Sequence, residues 1–101
     1  MKHLQINDPR AGFHVLARTA QSEAATMSIR KGESEGGPDN QHYADQWLYV
    51  ISGSGKAIVE GRQTSLEKGS LLLISAGERH EIRNTGRTTL KTLNVYSAPT
   101  F

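Results

Sequence analysis

Short apolar runs of four to eight residues, each closed by a turn rich in Gly or Asn, repeat along almost the whole chain. A run that short, with alternating polarity, makes a half-buried strand rather than a helix, and many such runs in series specify a sandwich or barrel. The runs fall at Phe13 to Arg18, Ala24 to Arg30, Gln46 to Ser52, Lys56 to Glu60, Ser70 to Ser75, His80 to Arg83 and Leu90 to Tyr96. Turn residues separate them: Gly53-Ser54-Gly55, Gly61-Arg62, Lys68-Gly69, Gly77 and Asn84-Thr85-Gly86. Gly and Asn reach positive φ at little cost, which tight reversals require. The expectation is an all-β chain of seven strands closed as one antiparallel barrel. Only Gln21-Ser22-Glu23-Ala24-Ala25 has the composition for a turn of helix, and the polar Lys31 to Asp39 segment reads as a loop.

With 101 residues the chain has material for one core, so a single domain over 1–101 is expected, with 1–12 and 97–101 as extended terminal segments. The absence of Cys excludes disulfides, thiolate nucleophiles and thiolate metal sites. Any metal must therefore bind His, carboxylate or amide groups. The formal net charge of +2 is spread over interleaved signs, and Glu78 and Glu81 break up the row Arg79, Arg83, Arg87. No nucleic-acid partner follows from that pattern. Neither a signal-like N-terminus nor an apolar run of about 18 residues is present, so no membrane partner and a cytoplasmic location are expected.

Strand side chains alternate faces, which places Asn40, His42 and Gln46 on one side of an extended segment. Leu48 and Val50 continue that side as an apolar wall, while Trp47, Tyr49 and Ile51 point the other way. His80, Ile82 and Asn84 form a second set with a common face, and Glu81 and Arg83 face outward. Two imidazoles with amide oxygens suit a divalent ion such as Zn, Ni, Fe or Mn. Either histidine could equally be a strand or loop residue bonded to backbone, and the spacing alone leaves both readings open. His3 and His14 lack such company.

At these residues the chain resembles a small single-domain cupin, the double-stranded β-helix or jelly-roll barrel family, over about Gly36 to Tyr96. That family's second motif runs Gly, five residues, Pro-x-Gly, two residues, His, three residues, Asn. Gly69, Gly77, His80 and Asn84 match it, with Ser75 in place of Pro. Counting back from Gly53, which closes the first motif, puts Gln46 at the usual Glu, His42 at the second His and Asn40 at the first. The resemblance implies a metal site of Asn40, His42, Gln46 and His80, with two of four usual ligands replaced by amides.

A set without carboxylate departs from the two-His, one-carboxylate triad of many non-haem iron oxygenases. A Lewis-acid site for a small polar or anionic ligand fits it better. The alternatives are a non-catalytic binding or sensing module and a structural dimeric barrel without metal. Tyr43, Tyr49 and Asp45 have the wrong parity to serve the interior, whereas Glu35 and Asp39 could reach the barrel mouth or simply be solvated. The outward row Trp47, Tyr49, Ile51 leads to an expected homodimer, unless a second sheet of the same barrel covers it.

Overall fold

The computed structural model describes residues 1–7, 11–37 and 43–97. Nine strands form in these regions: β1 Gly12–Arg18, β2 Ser22–Ile29, β3 Ser34–Gly36, β4 Asp45–Ser52, β5 Gly55–Val59, β6 Arg62–Leu66, β7 Leu71–Ile74, β8 His80–Arg83 and β9 Leu90–Ser97. A five-stranded sheet has the order β1-β2-β9-β4-β7, and a four-stranded sheet the order β3-β8-β5-β6. Every pairing is antiparallel.

All seven expected strands are present, but two more join them. β3 arises inside the polar segment read as a loop, and β6, Arg-Gln-Thr-Ser-Leu, carries no apolar alternation. Both are edge strands of the smaller sheet. One face of an edge strand meets solvent, so it can form by backbone pairing alone without an apolar signature. For β6 the cause is the turn before it, where Glu60 and Gly61 take φ of 48° and 77°. Two successive positive φ values match the right-handed twist of a two-residue hairpin. The helical turn expected at Gln21 to Ala25 is absent, because Ser22 onward pairs along the full length of β9. Thr19 caps the reversal instead, its Oγ1 accepting from the Ser22 amide at 3.0 Å.

The core lies between the two sheets. Met27 and Ile29 of β2, Leu48 and Val50 of β4, Ile74 of β7 and Leu90 of β9 pack with Ala57, Leu66 and Ile82 from the smaller sheet. Each of these follows the two-residue period of its strand. The opposite face of the larger sheet is open at β4 and β7, although Thr26 and Ser28 on the same face of β2 are buried. Trp47 and Tyr49 each keep 43% of their surface exposed, beside Leu73 and Leu71 in register on β7, so the second sheet does not cover this row. No helix is long and apolar enough to cross a membrane among the described residues.

Candidate functional site

Strand β4 turns Gln46 inward, between Tyr96 of β9 and Ile74 of β7 in the ladder. Its side chain is buried, and Nε2 donates to Asn94 Oδ1 at 2.9 Å. Asn94 Nδ2 in turn donates to Thr92 Oγ1 at 2.9 Å, and Thr92 Oγ1 donates to the Met27 carbonyl at 3.2 Å. The other end of the amide is different. Gln46 Oε1 is buried with no hydrogen-bond partner among the described residues. A buried acceptor left bare costs about 1–3 kcal/mol, so such an atom asks for a ligand.

Across the core, His80 opens β8 opposite Val59 and is only 4% exposed. Its Nδ1 lies 3.1 Å from the Glu78 carbonyl. A carbonyl oxygen only accepts, so Nδ1 carries the proton and Nε2 is the basic nitrogen of the ring. Backbone hydrogen bonds of this kind commonly orient a ligating imidazole. Gln46 and His80 thus occupy the inner surfaces of the two facing sheets. Asn40, His42 and Asp39 lie outside the described residues. No three His, Asp or Glu side chains converge in a metal-holding group among the described residues.

The acids and phenols weighed from sequence separate cleanly. Tyr43 is 90% exposed and Tyr49 faces outward. Asp45 Oδ1 accepts from the Ala76 amide at 2.8 Å, which ties β4 to the turn before β8. Glu35 sits on β3 opposite the inward Ile82, half-buried, so it is a strand residue turned toward the interior side. On the outer side of the smaller sheet, a groove of about 520 Å³ reaches His80 past Ile58 and Gly61. The charges along it pair off, Arg79 with Glu60 at 3.3 Å and Arg83 with Glu81 at 2.9 Å.

Three inward polar residues of β9 belong to the site and were left unremarked in the sequence: Thr92, Asn94 and Tyr96. Their signal was available, since they share a face with the core residue Leu90 while Leu93 and Val95 point away. Tyr96 is half-buried and meets Phe13 edge-on, with ring centres 6.1 Å apart. Burial above all, then the nearby Glu23 and Glu35 carboxylates, push its phenol up to about 12. The fold therefore prefers the neutral phenol. Stability from this preference is complete below pH 10, the ordinary tyrosine value, and is lost as pH rises through 12. Urea midpoints of the wild type are expected to fall across that window more steeply than those of Tyr96→Phe; parallel profiles would refute the assignment.

A family model described as a cupin domain matches residues 25–96. The chain belongs to the cupin family. Its all-β, antiparallel architecture agrees with a cupin barrel, and it superposes on BH2720 from Bacillus halodurans with a TM-score of 0.76. That match is 31% identical and covers 91% of this chain and 74% of the other. KdgF from a Halomonas species superposes with a TM-score of 0.75 at 23% identity, covering 93% and 86% of the two chains. Mannose-1-phosphate guanylyltransferase of Klebsiella pneumoniae is 25% identical over 95% of this chain. The present chain spans only 20% of that relative's length.

The cupin motif residues now acquire physical roles. Asn84 is a structural clamp: Nδ2 donates to the Ile29 and Thr88 carbonyls, each at 2.8 Å, and Oδ1 accepts from the Gly86 amide at 2.9 Å. Cupins commonly bind transition metals. The donors present fit such an ion, because a buried amide oxygen with no partner among the described residues and a buried imidazole on the facing sheet are both groups that bind it.

Proposed function

We propose that this cupin binds a divalent transition metal through Gln46 Oε1 and His80 Nε2, with Asn40 and His42 as the further ligands, and presents it to a small polar or anionic molecule. The bare, buried Gln46 Oε1 is the observation that carries this reading. Bound there, the ion would supply Lewis acidity, polarising a carbonyl or a water. The protein donors are all neutral, so the ion would keep its full charge and favour an anionic ligand. Mannose-1-phosphate, in the name of the guanylyltransferase relatives, is a molecule of that class. Tyr96, neutral through the physiological range, offers a proton at the interior side, and Glu35 is the carboxylate that faces the same way.

Binding without turnover is the second reading, favoured by Asp45, whose carboxylate is already engaged by the Ala76 amide. Turnover assays on small sugar phosphates, carbonyl and carboxylate compounds, with and without metal, separate the two. The metal itself is tested by calorimetric titration of tag-free, chelator-treated protein with Zn2+, Ni2+ and Mn2+. One ion per chain is expected, released in acid because imidazole must be neutral to ligate. No binding at millimolar metal overturns the proposal.

The exposed face built from Trp47, Tyr49, Leu71 and Leu73 is proposed as the contact with a second copy of the chain. A two-fold axis lets one apolar patch cover itself, removing from water a surface that monomers rarely leave open. Sedimentation should give twice the 11.1 kDa of the chain, and Trp47→Lys should return it to that single-chain mass. A wild-type protein that sediments as a single chain would contradict the dimer.

A further inference from the structure

The buried polar line from Gln46 to Met27 has a direction. Its terminus, the Met27 carbonyl, can only accept, so the Thr92 hydroxyl spends its proton there and is left to accept from Asn94 Nδ2. Asn94 Oδ1 must then accept, and the group it faces on Gln46 must be Nε2. Reversing both amides keeps only two bonds, Asn94 to Gln46 and Thr92 to Asn94. It gives up the bond to Met27 and turns a buried NH2 group inward. The observed sense makes three bonds and leaves one bare acceptor. Hydrogen-bond inventory alone therefore selects the orientation.

We infer that Thr92 and Asn94 are positioning residues that hold the Gln46 side chain with its oxygen, not its NH2 group, toward the barrel interior. The occupant at this point must then bring positive charge or a polar hydrogen; the oxygen of an anion is refused there. This deepens the metal reading and rests on it for the identity of the cation, while the orientation itself stands independently. It also gives Gln a reason at position 46. A carboxylate there cannot donate, so it would force Asn94 and Thr92 into the reverse sense.

The test uses apo protein labelled with 15N and 13C. Scalar coupling across the hydrogen bond is expected from Gln46 Nε2 to the Asn94 side-chain carbonyl carbon; coupling from Asn94 Nδ2 to the Gln46 carbonyl carbon overturns the inference. In Thr92→Val, exchange of the Gln46 side-chain amide protons should quicken at least about 10-fold and Zn2+ affinity should drop about 10-fold. Thr92→Ser, which keeps the hydroxyl, should restore both to within about 2-fold. Unchanged exchange and unchanged affinity in Thr92→Val overturn the positioning role. If the wild type takes up no Zn2+, the metal proposal falls and the coupling and exchange results alone decide the orientation. Should Thr92→Val fail to fold, the coupling measured in the wild type still decides.

Discussion

His80→Ala is expected to lower Zn2+ and Ni2+ affinity by more than about 100-fold, beyond the roughly 10–100-fold that loss of an outer hydrogen-bond partner costs a metal site. The ring is buried at the start of β8, with its proton held on Nδ1 by the Glu78 carbonyl. Alanine removes the imidazole, the side chain of this strand proposed above as a metal ligand. The structural loss is smaller: each hydrogen bond of the ring, such as that to the Glu78 carbonyl, contributes about 1 kcal/mol. For a domain of this size that is a melting shift of about 4–8 °C, leaving a folded protein in which binding can be read. His14→Ala is the matched control. His14 lies on β1 in register with Thr26, on the face of the larger sheet turned away from the core, with Nε2 3.0 Å from Ala11 O, and its removal should leave affinity unchanged. Equal affinity of His80→Ala and the wild type by titration would end the assignment of this histidine.

Gly53→Ala should cost about 3–5 kcal/mol, against a total stability of about 5–15 kcal/mol for a domain like this one. Two penalties combine. Gly53 has φ of +88°, in the left-handed region that costs an L residue roughly 1–2 kcal/mol. A Cβ there would also lie 2.6 Å from the Thr89 carbonyl oxygen and 2.9 Å from Leu90 Cα, both backbone atoms that cannot rotate aside. The position explains the crowding: β4 shifts register between Val50 and Ser52, and the chain then leaves the larger sheet for β5 of the smaller one, passing against β9. Gly61→Ala isolates the first penalty, with φ of +77° and nothing within 4 Å of its Cβ. It should lose only about 1 kcal/mol. Urea unfolding of both variants checks this, and equal losses would show that close approach at Gly53 contributes nothing.

The comparison of Gly53 with Gly61 bears on what a motif encodes. The glycine closing the first cupin motif is required by tertiary crowding, whereas the turn glycine at 61 answers only a local need. The same contrast holds for the asparagine of the second motif. Its even spacing from His80 was legible, but its role as a clamp was not, because the Ile29 carbonyl that it ties to the nearby Thr88 turn is 55 positions away. β3 and β6 escaped detection since edge strands need no apolar pattern.

Alternation along each strand, a local property of period two, was enough to sort the inward residues from the outward ones. Gln46, Leu48, Val50, His80, Ile82 and Asn84 are all buried, and Trp47 and Tyr49 are exposed, as their parity requires. The amino-acid order alone thus determined the fold class and which faces carry polar groups into the core. Only the tertiary structure decided which of those polar groups meet. Gln46 and Asn94 are 48 positions apart, and their bond depends on strand order and register, which no local period contains. That pairing leaves one amide oxygen bare, and the chemistry of the site begins there.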